Sequence, residues 1–393
     1  MKAIFIHDHN FVLNPNDGLY YDGSGGVFTS DLWKRYLAVF NELIVIGRGI
    51  DILPNKLVLS SCDNVSFSLI DNVHSIKSRL FEKRRIINEI RQAIIDCDFV
   101  IIRLPSFLGS IAFEICKELK KKYMIEVVGD PYEAYKYHGA LLGKIVAPLE
   151  MVKLKRIVRE ANNVVYVTQS KLQERYSNQF NNIGISNVQL YNLISNESVR
   201  NYYLENTSEF FKVGLIGTFH VKYKGHYELL KAVNLLKSEG IDNIKVYFVG
   251  TGDPTWVVTL AEEMNLSNNI VIVGALEAGE NGIIPFLDTL DCYIHPSKTE
   301  GLPRVVIEAM SRGKMCLTSN AGGVEELIES NYVHSAGNWL MLKEQLNMVY
   351  NFSNTERYEL GMQNLEKSSF YLEETLQKKR ITFIKNIIRD VAN

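Results

Sequence analysis

The sequence predicts an α/β protein built from two facing, doubly wound parallel-sheet domains. Short β-branched runs alternate with longer helical patterns through the first half. The same rhythm restarts after about residue 206, and 393 residues exceed what one hydrophobic core usually serves.

In chain order, strands are expected at 3–6, 43–46, 65–69, 99–102, 124–128 and 164–167, short apolar runs with helical spacing between them. The polar segment 192–208, rich in Asn and Ser, reads as a hinge, giving a first domain at 1–205 and a second at 206–370. Strands of the second are expected at 212–216, 245–249, 270–273, 292–294 and 315–317. In the tail, Leu372, Leu376, Ile381, Ile384 and Ile388 share one helical face, and a helix over 372–391 is expected to join the first domain.

A net charge of -2 argues against a nucleic-acid binder. The cysteines, Cys62, Cys97, Cys116, Cys292 and Cys316, are odd in number and never form a Cys-x-x-Cys pair. Neither a disulfide framework nor a zinc site is expected, and a reducing cytosol fits best. Residues 1–6 are too short an apolar run for a signal peptide, and no later stretch reaches spanning length, so any membrane contact is expected to be peripheral.

Open parallel sheets hold ligands beyond the carboxyl ends of their strands, so the loops after strands carry the chemistry. Over 294–310 a strand ends in a small-residue loop before a helix, whose free N–H groups suit phosphate or sugar oxygens. Glu300 lies at that mouth, with the main chain of Gly301 and Leu302 beside it. Glu308 falls about five residues into the helix, roughly 7.5 Å along its axis, so one carboxylate can hold a sugar and the other a ribose diol. Over 213–225 a second strand runs through Gly217, Thr218 and Lys222 to Lys224, again ahead of a helix.

In the first half, Gly25 and Gly26 precede a helix near Thr29, either as a flexible turn or as backbone that approaches a phosphate closely. The connection 7–28 is long for a βα loop and reads as part of an acceptor wall. Asp130, before Pro131, is either a proton acceptor or a turn residue capping the next helix. No metal is expected at Asp96-Cys97-Asp98, which falls between a helix and a buried strand. Nor is one expected at His7-Asp8-His9, a loop in this reading, because three adjacent residues rarely converge on one ion. The pattern over 141–161 mixes apolar residues with Lys144, Lys153, Lys155, Arg156 and Arg159, as in a solvated helix with a buried stripe or one lying on an anionic membrane.

The segment 294–310 resembles the signature of family 4 glycosyltransferases of GT-B architecture, the glycosyl transferases group 1. Two glutamates there are separated by seven residues, as Glu300 and Glu308 are. The resemblance implies that Glu300 binds the donor sugar and Glu308 the ribose hydroxyls. Lys224, just before Gly225, stands where the family places a lysine on the donor diphosphate. Many relatives carry an arginine after the first glycine; here Thr218 stands there, with Lys222 as a replacement cation. Gly274 corresponds to the turn where the base rests, and 318–327 to a glycine-rich turn around the cleft. The family's first-domain histidine is missing from 126–131, where Asp130 is the nearest polar group. The match runs over 210–330 and loosely over the first domain.

It implies a retaining, metal-independent enzyme without a cofactor, with a nucleoside diphosphate sugar as co-substrate. The sugar would pass to a hydroxyl of a saccharide or lipid-linked saccharide in bacterial surface-polysaccharide assembly, at the inner face of the cell membrane. Two rivals remain. A non-catalytic GT-B partner of an active transferase is kept open by Thr218 and the missing histidine, and a GT-B nucleotide-sugar epimerase would need further acid and base groups.

Overall fold

The computed structural model describes residues 1–23, 28–51, 57–71, 81–137, 141–205 and 208–389. Gly25 and Gly26 lie outside the described residues. The first sheet contains β1 (Lys2–Asn14), β2 (Leu19–Asp22), β3 (Glu42–Gly49), β4 (Val65–Ile70), β5 (Phe99–Leu104), β6 (Tyr123–Val127), β7 (Asn163–Tyr166) and β8 (Asn181–Gly184). Its order is β4-β3-β1-β5-β6-β7-β8, parallel throughout, with β2 antiparallel on β1. The second sheet contains β9 (Phe211–Ile216), β10 (Ile244–Val249), β11 (Ile270–Gly274), β12 (Cys292–His295), β13 (Met315–Ser319) and β14 (Val333–His334), ordered β11-β10-β9-β12-β13-β14.

Burial follows position in the sheet. Central β5, β6, β12 and β13 are buried at every residue, Arg103, Glu126 and His295 included, and are otherwise mostly apolar, because helices cover both faces of a parallel sheet. Edge strands β4 and β11 alternate between less and more exposed positions. In each sheet the chain winds outward in both directions from an inner pair, β1 with β5 and β9 with β12. These two pairs are the topological switch points, where the loops diverge and leave a crevice.

Two sequence expectations change. Residues 7–28 are not one long loop: β1 continues through a register irregularity after Ile6 to Asn14, and turns at Gly18 (φ 70) into β2. His7, Asp8 and His9 are therefore strand residues. His9 Nε2 pairs with Asp22 at 2.8 Å, while the Asp8 carboxylate accepts the backbone N–H groups of Phe107 and Leu108, capping the helix Phe107–Glu118. Residues 196–205, placed by sequence in the first domain, form a helix whose Val199 and Tyr203 pack into the core beneath the second sheet. The tail helix Glu373–Arg389 meets the first unit through Arg35, which binds Glu373 at 2.7 Å, and through Arg380, which donates to the Ser186 carbonyl.

Candidate active site

Both loops that leave the second switch point are drawn together by glycines at crowded places. Gly225 adopts φ +86, and a Cβ there would stand 2.4 Å from the Pro296 carbonyl oxygen. Lys298 N donates to Tyr223 O across the same seam at 2.8 Å. The loop after β9 is thereby laid against the loop after β12, and Lys224 Nζ reaches Glu300 Oε1 at 2.6 Å.

Glu300 is held a second time. His295 Nε2 lies 3.0 Å from the same Oε1, and Tyr293 OH lies 3.0 Å from His295 Nδ1. A carboxylate only accepts, so Nε2 carries a proton and donates to Glu300. Tyr293 and His295 share one face of β12, two residues apart. Among the described residues no hydrogen bond is made to Glu300 Oε2.

The charges support one another. Burial alone would raise the Glu300 carboxyl, but Lys224 and His295 outweigh it and hold it well below the usual carboxylate range. Burial alone would lower the Lys224 ammonium, but Glu300 outweighs it and the net shift is upward. The contribution from Glu300 is present above the ordinary carboxyl range and lost only as pH falls through its depressed pKa. That from Lys224 is present below the ordinary lysine range and lost as pH rises through its raised one. The pair is ionised throughout the neutral range.

Glu308 is the fifth residue of the helix Arg304–Ser311, half-buried, with Arg304 one turn before it. Burial raises its carboxyl, and the Arg304 charge offsets this only in part. Among the described residues nothing donates a hydrogen bond to that carboxylate, which leaves it open to a polar ligand. Leu302 is buried, and Pro303 stands at the N-cap of the helix.

Other sequence candidates divide. Gly217 leaves no room beyond its Cα, since a Cβ would touch the Lys224 side chain at 3.0 Å. Thr218 ties two loops together, its Oγ1 donating to Thr251 O at 2.9 Å. Lys222 does not reach the Glu300 carboxylate; its ammonium lies 5.6 Å from the centre of the Trp256 ring. Gly274 ends β11 with φ +84 and open space where a Cβ would be. Asp130 is buried, its Oδ1 accepting from Tyr132 N at 2.8 Å and Tyr176 OH at 2.6 Å, and its Oδ2 2.5 Å from Arg175 Nη1. That is the geometry of the capping alternative.

The two units meet at this place. A Cβ on Gly301 would stand 2.2 Å from the Val128 carbonyl oxygen, at the end of β6. Beyond the turn at Gly322 and Gly323, the Glu326 carboxylate accepts from the backbone N–H groups of Gln169, Ser170 and Lys171 at 2.6–2.9 Å. Between them a cavity of ≈ 280 Å³ is lined by Asp130, Glu133, Lys171, Arg175, Glu300 and Gly322. A second, of ≈ 470 Å³, sits at the first switch point, where His7, Asp8, Arg48, Ser106, Tyr135 and Glu150 contribute.

Comparison with known proteins bears on this geometry. Residues 209–358, which span both glutamates and Lys224, match the family model of glycosyl transferases group 1. Protein CapJ of Staphylococcus aureus is 33% identical over 398 residues, covering 99% of this chain and 97% of CapJ. The chain belongs to the glycosyl transferases group 1. It is a glycosyltransferase of GT-B fold. Sucrose-phosphate synthase from Thermosynechococcus elongatus superposes with TM-score 0.73 over 100% of both chains at 13% identity. Anabaena HepE in complex with UDP and glucose superposes with TM-score 0.69 at 14% identity, over 98% of this chain and 100% of that one. A more distant relative is the capsular polysaccharide biosynthesis glycosyltransferase CapH of S. aureus, 23% identical over 48% of this chain and 54% of CapH.

Tyr293, His295 and Glu326 have no role predicted from the sequence. For the first two the alternation along β12 was the available signal. For Glu326 there was none, because its partners are more than 150 residues away.

Proposed function

We propose that this glycosyltransferase moves a sugar from a nucleoside diphosphate sugar to a hydroxyl acceptor with retention and without a metal ion, in the assembly of a capsule or related surface polysaccharide. The observation that carries the reading is Glu300: one oxygen is fixed by Lys224 and His295, the other is open, and both lie at the switch point of the second sheet. CapH, a capsular polysaccharide biosynthesis glycosyltransferase, supports the polysaccharide, and the UDP held by HepE supports the donor.

In this reading Glu300 Oε2 accepts from a hydroxyl of the donor sugar and Glu308 from the ribose diol, with the base near Gly274. As the glycosidic bond breaks, negative charge grows on the diphosphate, where Lys224 and the free N–H groups at the start of the helix Arg304–Ser311 stabilise it. Asp130 is already engaged, so the acceptor proton passes to the departing phosphate. The acceptor, a saccharide or lipid-linked saccharide, occupies the first-unit cavity around His7 and Tyr135, and the enzyme works at the cytoplasmic face of the membrane.

Turnover of a panel of nucleoside diphosphate sugars by the purified protein tests this. One donor is expected to be consumed at the same rate with EDTA as without it, since Lys224 takes the part of a cation. Loss with EDTA and recovery with Mn²⁺ would overturn the mechanism. Glu308→Gln should raise the donor KM about tenfold with little change in kcat, the worth of a hydrogen bond to a charged group made equally in ground and transition states. Because the Glu308 pKa is raised, the wild-type KM should also climb on acidification sooner than an ordinary carboxylate would dictate.

A further inference from the structure

The helix Leu141–Glu160 has two unlike sides. Ala147, Leu154, Ile157 and Val158 are buried against the first unit, and Glu150 lines its cavity. On the outer side Ile145, Leu149 and Val152 are 67%, 67% and 61% exposed, and Pro148 is exposed between them. Their spacing of four and three residues puts them in one stripe. Towards the carboxyl end the same stripe continues as exposed Lys155, Arg156 and Arg159.

The charges around this stripe are unbalanced. Each neighbouring carboxylate already has a partner: Glu114 with Arg156, Glu118 with Arg91, Glu150 with Lys153 and Glu160 with Lys117. Lys155 and Arg159 make no salt bridge among the described residues. An apolar stripe that runs into uncompensated positive charge suits an interface that is greasy in its interior and anionic at its rim. Among the described residues no helix is long and apolar enough to cross a membrane, so the helix can meet a bilayer only by lying on it.

We propose that this outer face docks on an anionic lipid bilayer, with Ile145, Pro148, Leu149 and Val152 entering the headgroup boundary and Lys155 and Arg159 against lipid phosphates. Exposed apolar residues supply the insertion and the two cations the preference for negative lipid. The helix that walls the first-unit cavity thus rests on the surface, so an acceptor anchored there by a lipid tail is presented to His7, Tyr135 and Glu150 without leaving the bilayer. Only this last consequence rests on the proposed function.

Co-sedimentation of the full chain tests it, using vesicles of phosphatidylcholine alone and of phosphatidylcholine with phosphatidylglycerol in equal parts. Wild type should pellet with the anionic vesicles and lose most of that binding at high salt. Leu149→Glu should lower partitioning at least about tenfold with an unchanged melting temperature. Lys155→Glu with Arg159→Glu should erase the preference for phosphatidylglycerol. Wild type that stays in the supernatant, or Leu149→Glu that pellets as well as wild type, overturns the proposal. So does a concentration-dependent dimer, abolished by Leu149→Glu, in a protein that ignores vesicles, because the face would then belong to a second copy. Donor turnover on the same samples separates the two readings: vesicle binding without turnover sinks the proposed function and leaves the docking face standing.

Discussion

Lys224→Ala is expected to lower kcat on the cognate donor by on the order of 10²–10³, about 3 kcal/mol of barrier, in a protein that remains folded. Charge on the donor diphosphate grows as the bond breaks, so a preorganised cation matters more in the transition state than in binding. The loss should sit at the severe end. Thr218 provides no second cation, and Lys222 is drawn towards Trp256 instead of the Glu300 carboxylate. Lys222→Ala should therefore change kcat by less than about threefold. Removing Lys224 also leaves Glu300 with His295 alone, and burial then pushes the carboxyl upward. Lys224→Arg, which keeps the charge but not the compact ammonium, should recover only part of the rate. Measured kcat and KM, with melting temperature as the check on folding, decide it. A folded Lys224→Ala with near-normal kcat/KM would place the phosphates elsewhere.

Glu300→Gln should be comparably damaging, by about two to three decades in kcat, and should leave a second mark in the pH profile. The wild-type Lys224 ammonium stays above the ordinary lysine range because Glu300 outweighs its burial. With a neutral amide in place of the carboxylate, burial, the largest influence, and the Arg304 charge favour the uncharged amine. The alkaline limb of kcat/KM, which reports the free enzyme, should therefore move to lower pH in Glu300→Gln. A lowered rate with an unmoved alkaline limb would reduce Glu300 to a packing role.

How much was legible in the sequence depends on the distance over which each contact forms. Glu300, Glu308 and Lys224 stand out because each lies in a short strand, loop and helix segment that resembles the family signature, a resemblance carried by residues close together in the chain. That Lys224 pairs with Glu300 was not legible, since it depends on Gly225 letting two loops touch 76 residues apart. The hairpin of β1 and β2 carried a signal in Asp17-Gly18 between apolar runs, but it was read as a loop. In the helix at 196–205, Val199 and Tyr203 are four residues apart, the spacing of a buried stripe, yet Asn and Ser around them suggested a hinge. For Asp130 the sequence left two roles open. Its carboxylate accepts from Tyr132 N as a cap does, and the contacts from Tyr176 and Arg175, more than 40 residues away, had no local signal.

The placement of the donor site is tested most directly by calorimetric titration of nucleoside diphosphates into wild type, Lys224→Ala and Glu308→Gln. One of them should bind wild type, and each substitution should weaken it at least about tenfold, more than 1.4 kcal/mol, with the fold intact. A nucleoside diphosphate that binds wild type and both variants with the same affinity would contradict a donor site built on Lys224, Glu300 and Glu308.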